Sequence, residues 1–137
     1  MKQFSFFPHT ADIGMKVSAG TLKEVFINAA SGLAQLSGPQ GERGKPFKFN
    51  IKLKADGPEG LLISFLNELN YISVMKKALL GKIKITSMGK TFLKAEVSGL
   101  KNVEKLSFLR EIKAATYHDI LIKKTRTGLS AKITFDV

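Results

Sequence analysis

The chain contains no cysteine, which excludes a disulfide scaffold, a zinc–thiolate site and thiol catalysis. Its two histidines, His9 and His118, are too few for a multi-histidine metal centre. Arginine is scarce: apart from Arg43, Arg110 and Arg126 every basic residue is lysine. Lysine offers a hydrated point charge and not the planar fork that grips phosphates and base edges. No apolar run approaches the roughly 18 residues that a membrane span needs. The opening Met1-Lys2-Gln3-Phe4-Ser5-Phe6-Phe7 is also too short an apolar stretch for a signal peptide, so a cytoplasmic protein without a membrane partner is expected. Missing too are the G-x-x-x-x-G-K-[ST] phosphate loop, the G-x-G-x-x-G turn and the G-x-S-x-G elbow, so no familiar catalytic fingerprint is present.

What remains is an ordinary globular composition carrying an unusual charge. The 137 residues suit one domain spanning 1–137, and 44% hydrophobic residues suffice for a core. The formal charge is +11, which favours anionic partners such as RNA, DNA or a phospholipid surface. Two readings stand beside each other here. Abundant lysine without cysteine fits first the solvated surface of a heat-adapted protein, with direct contact with RNA as the second reading.

The hydrophobic periods predict an α+β fold, with two helices packed on an antiparallel or mixed β-sheet in the order ββαβα followed by strands alone. The first two strands are expected at Lys2–Phe7 and Asp12–Ser18, where Ile13, Met15 and Val17 alternate with polar residues. Thr21-Leu22-Lys23-Glu24 reads as a capping box, with threonine and glutamate each satisfying free amides of a helix start. That helix ends at Ser37-Gly38-Pro39, and Gly38 to Lys45 reads as a loose exposed loop. Phe47, Phe49, Ile51 and Leu53 alternate with Lys48, Asn50, Lys52 and Lys54 in a strand with one apolar and one basic face. A second helix follows from about Glu59 to Lys77, then a hairpin of Ile83–Ser87 and Thr91–Ser98. Two further strands, about Ile112–Lys123 and Leu129–Val137, complete the pattern.

Several charged residues stand out in so basic a chain. Asp12 begins the second strand on its polar face, Glu68 borders the apolar stripe of the second helix, and Asp136 is penultimate. An aspartate at a strand start is commonly a turn former, and a glutamate beside an apolar stripe is commonly a surface charge. The C-terminal strand shifts this reading, because it holds Asp136 beside the α-carboxylate of Val137, and neighbouring anions call for a cation. If Asp12 lies alongside, the set is all oxygen and suits a hard divalent ion, Ca²⁺ or Mg²⁺, with Mn²⁺ as a further alternative. A second cluster is Glu111-Ile112-Lys113-Ala114-Ala115-Thr116-Tyr117-His118. Strand alternation sets Glu111, Lys113, Ala115 and Tyr117 on one face and Ile112, Ala114, Thr116 and His118 on the other. By themselves Lys113, His118 and His9 read first as ordinary surface or turn residues.

Five segments, in order along the chain, resemble the archease family: His9-Thr10-Ala11-Asp12-Ile13-Gly14, Thr21-Leu22-Lys23-Glu24-Val25-Phe26, Leu61 to Leu69, Glu111 to His118, and Phe135-Asp136-Val137. The resemblance implies an accessory protein and not an enzyme in its own right. Its partner would be the RtcB-type tRNA-splicing RNA ligase, whose guanylylation with GTP and multiple turnover it would promote, reaching tRNA and GTP through that ligase. The resemblance further implies a metal site, usually calcium, with ligands Asp12, Asp136 and Val137, and a functional Lys113 nearby. His9, Glu68 and His118 fall in the same motifs without separate roles. A module of another class, chaperone-like or RNA-binding and using Lys48, Lys52 and Lys54, is the alternative.

Overall fold

The computed structural model describes residues 3–8 and 12–137; His9, and with it the first of the expected site residues, lies outside them. Chain order is β1 (Phe4–Pro8), β2 (Asp12–Ala19), α1 (Leu22–Ser37), β3 (Pro39–Gln40), β4 (Lys45–Lys54), α2 (Pro58–Met75), β5 (Leu79–Met88), β6 (Phe92–Lys101), β7 (Ser107–Phe108), β8 (Ala114–Thr125) and β9 (Gly128–Asp136). The expected α+β class holds. The strands divide into a four-stranded sheet ordered β1-β2-β9-β8, a three-stranded sheet ordered β4-β6-β5, and a short β3-β7 pair. Every ladder is antiparallel among the described residues.

Both helices touch both larger sheets. α1 packs on β2 and reaches β5, while α2 packs on β8 and β4. On α2 the buried set Leu61, Leu62, Ile63, Phe65, Leu66, Leu69 and Ile72 covers more than one face, as a helix covered from two sides requires. These residues join Met15, Val17, Ile133 and Phe135 of the four-stranded sheet and Ile51, Leu93 and Val97 of the three-stranded one in a single core. The rings of Phe26 and Phe65 meet between the helices at 5.7 Å.

Local chemistry explains the element ends. Thr21 caps α1, its Oγ1 accepting from the Glu24 amide at 3.2 Å. The reciprocal half differs from expectation: the Glu24 carboxylate accepts the Thr21 hydroxyl, not the Thr21 amide. Gly38 closes α1 at φ 52°, a left-handed turn that favours glycine, and its amide donates to Ala34. Pro58 opens α2, and Asn102, Lys105 and Lys77 take left-handed turns around the following connections.

The stretch 38–45 corrects the sequence reading. It is not a loose loop, because Pro39–Gln40 pairs with Ser107–Phe108. Beyond that pair, the Glu42 amide donates to the Glu104 carbonyl and the Glu104 amide to the Arg43 carbonyl. Ion pairs Arg43–Glu104 and Lys105–Glu42 lie over this seam, and both are well exposed.

Candidate functional site

β9 is an inner strand of its sheet, and this determines what gathers at one end. On one side its register pairs Asp136 directly with Asp12, the first residue of β2. On the other side Asp136 pairs with Ala114, the first residue of β8. The Lys113 amide donates to the Asp136 carbonyl at 2.9 Å, extending this ladder by one residue. Alternation along β2 and β9 turns Met15, Val17, Ile133 and Phe135 into the core, so Asp12 and Asp136 share the opposite face. Directly opposed residues in an antiparallel pair stand about 5 Å apart at Cβ. Two carboxylates are therefore held as neighbours, with Oδ1 of Asp12 shielded from solvent and Asp136 exposed.

The backbone leading to Lys113 is tied to α2 by two asparagines that the sequence reading did not single out. Asn67 forms a reciprocal pair with the backbone of Ala115, accepting its amide at 2.7 Å and donating to its carbonyl at 3.0 Å. One turn later Asn70 donates to the Ile112 carbonyl at 2.9 Å. Amides three residues apart beside the apolar stripe of a helix were the available signal, since amides drawn out of water need partners.

These ties correct the expected alternation over 111–118. β8 begins at Ala114, so Glu111, Ile112 and Lys113 precede it, and Ile112 and Ala115 are both buried. The alternation fails again beyond Thr116. Thr116 pairs with Thr134 and Leu121 with Lys132, so Tyr117 to Ile120 face only Ile133 and bulge outward, with Asp119 at φ 53°. His118 sits on that bulge, exposed, with Nε2 3.1 Å from Asp119 Oδ2. It is thus placed on the bulge and not in the Asp12–Asp136 pair. Glu68 is half-buried on α2, next to Asn67, and makes no ion pair or hydrogen bond among the described residues.

A groove of about 730 Å³ opens beside this end of the sheet. Asn67, Asn70, Tyr71, Val74 and Met75 form its α2 wall, and Glu111 to Ala114 form the other. Tyr71, Val74 and Met75 are 59%, 49% and 63% exposed, an apolar stripe at helical spacing that the core does not use. Above Gly14, the ring of Phe7 occupies the space a β-carbon would need, and Lys132 Nζ lies 5.5 Å from the same ring. A smaller cavity of about 200 Å³ lies between α1, α2 and β5 and shares Asn70 and Ser37 with this groove.

Among the described residues, no three histidine, cysteine, aspartate or glutamate side chains are grouped as metal ligands. Asp12 and Asp136 make a two-carboxylate set, and Val137 follows Asp136 just past the end of β9. The donor chemistry fits a hard cation.

Fold and site together define a small, basic α+β protein in which two acidic strand ends adjoin a lysine-bearing segment hooked to a helix. The pattern of the Archease protein family (MTH1598/TM1083) matches residues 4–137. The archease of Pyrococcus furiosus is 34% identical over 132 residues, covering 93% of each chain. The solution structure of Methanobacterium thermoautotrophicum protein 1598 superposes with a TM-score of 0.72 at 26% identity, covering all of both chains. A Thermotoga maritima archease, described as a possible chaperone, shares the fold with a TM-score of 0.67 at 22% identity, over 96% of this chain and 94% of its own. The chain belongs to the archease family. Among its described residues no helix is long and apolar enough to cross a membrane.

Proposed function

We propose that this protein is an accessory activator of the RtcB-type tRNA-splicing RNA ligase, promoting its guanylylation with GTP and its multiple turnover, and is not an enzyme itself. The observation that carries the reading is the register of β9, which opposes Asp136 to Asp12 and ties the Lys113 backbone to Asp136. Membership of the archease family supports it.

In this reading Asp12, Asp136 and the α-carboxylate of Val137 hold a divalent cation, Ca²⁺ or a similar hard ion, with oxygen alone. Such an ion, when bound, neutralises phosphate charge. The remaining chemistry belongs to the chain. The Lys113 side chain, exposed one residue before β8, offers a positive charge to a nucleotide phosphate at the partner's active site. Asn67 and Asn70 fix the backbone that carries it, so the lysine is presented by a braced segment. The apolar stripe Tyr71, Val74 and Met75 gives the ligase a surface to seat against.

The test is a multiple-turnover ligation assay with the cognate ligase and GTP. The wild-type protein raises the guanylylation rate and the number of ligations per ligase molecule. Lys113→Gln, Asp12→Asn and Asp136→Asn each reduce the gain while the variants remain folded. Equal ligase turnover with and without the wild-type protein refutes the reading.

A further inference from the structure

The three-stranded sheet turns a second, separate surface to solvent. Its strands carry eight lysines and a single acid, Glu96. Register sorts them. Phe49 with Val97 and Ile83, and Ile51 with Ala95 and Ile85, fill the inner rows. The outer rows run Lys48–Ser98–Lys82, Asn50–Glu96–Lys84 and Lys52–Lys94–Ser87, and end on the pair Lys54–Phe92. All six of these lysines are exposed.

Lys52 stands directly opposite Lys94. Like charges in that position repel and weaken the sheet, and no acid on the face lies in their row. A bound polyanion would remove that cost. The geometry is regular: lysines two residues apart on a strand are about 6.7 Å apart, and neighbouring strands are about 4.8 Å apart. Point charges near this pitch, as at Lys52 and Lys54 and at Lys82 and Lys84, suit the repeating phosphates of an extended single strand. At its edge Phe92 is 39% exposed beside Lys54, a ring on which a base can stack. A membrane surface is less well matched, because interfacial binding takes a set of exposed apolar residues and this face has only Phe92.

We propose that the outer face of β4-β6-β5 binds the backbone of single-stranded RNA without reading its sequence. The phosphodiester chemistry is shared with DNA, and the choice of RNA rests on the ligase reading above. The face is separate from the Asp12–Asp136 end, since the two lie on different sheets.

Fluorescence anisotropy of the whole protein with a labelled single-stranded RNA tests this without any ligase. If the six lysines each contact a phosphate, the affinity falls about 300-fold between roughly 50 and 200 mM salt, at about 0.7 in log–log slope per contact. The variant Lys52→Gln/Lys54→Gln/Lys94→Gln then shows about half that slope and weaker binding at low salt. Lys23→Gln/Lys123→Gln/Lys124→Gln, with the same charge removed elsewhere, keeps the full slope. Melting curves identify any variant that has lost its fold, and single substitutions at Lys52 and Lys94 replace it. The proposal is overturned if RNA does not bind at low salt, if both triple variants lose equally, or if polyglutamate or DNA of the same length binds more tightly. Each of those results leaves the ligation assay free to succeed or fail on its own.

Discussion

Replacing Asn67 with alanine tests whether α2 organises the segment that presents Lys113. The side chain makes two hydrogen bonds to one backbone residue, at 2.7 and 3.0 Å, in a part-buried setting. Ala115 is 6% exposed, so water cannot readily take over its amide and carbonyl. A net bond is worth about 1 kcal/mol, and leaving a buried partner unsatisfied costs more. Asn67→Ala should therefore lose about 2–3 kcal/mol, and its melting temperature should fall by roughly 7–10 °C for a domain of this length. Asn70→Ala, which removes one bond to Ile112, should cost about half as much. Asn67→Asp keeps an acceptor for the Ala115 amide but sets a second oxygen against the Ala115 carbonyl, so it does not restore the second bond. Urea titrations give the energies, and amide exchange at Ala115 reports whether the loss is local. A cost for Asn67→Ala no greater than that for Asn70→Ala would show that the reciprocal pair is not what holds this segment.

Three further outcomes follow from positions already described. Gly14→Ala should destabilise by about 1–3 kcal/mol, because its β-carbon meets the Phe7 ring, and Phe7→Ala should recover part of the loss in a double-mutant cycle read by urea melts. Additive losses would place the strain elsewhere. Thr21→Ala should cost about 1 kcal/mol by removing the cap on the Glu24 amide, measured by thermal unfolding, and an unchanged melting point would rule out that cap. Extending the chain past Val137 converts a carboxylate to an amide; calorimetry should then show weaker Ca²⁺ binding, with little change in the metal-free melting temperature, because β9 already ends at Asp136. Equal affinity with and without the extension would remove Val137 from the donor set.

Where the signal was local, the sequence was readable. Ile13, Met15 and Val17 alternate over a few residues, and so do Phe47 to Leu53, because period two follows from the backbone of a single strand. Thr21 and Gly38 marked the ends of α1 for a similar reason, since caps act on neighbouring amides. Two features depended on distant partners and were not readable. The pairing of Pro39–Gln40 with Ser107–Phe108 joins segments too short to show any period. The outward turn at Tyr117–Ile120 exists only relative to β9, whose register leaves Ile133 alone opposite four residues. At the site, charge and position left the place of Asp12 open, the family resemblance joined it with Asp136, and the register pairs the two directly. The place of Lys113 before β8, and not within it, is decided by Asn67 and Asn70 from another element, which no strand pattern could disclose.

The insertion of β9 between β2 and β8 has a consequence for when this molecule comes into being. During synthesis β2 leaves the ribosome early and β9 last, so β2 waits with its inner edge unpaired through most of translation. Pairing between segments so remote in sequence is slow to form, because a long loop must close before any contact rewards it. Asp12 and Asp136 become neighbours only in that final step. A truncated or half-folded chain therefore carries neither the acidic pair nor the tether from Asp136 to Lys113. A partner that reads this acidic pair would meet it only once β9 has joined β2.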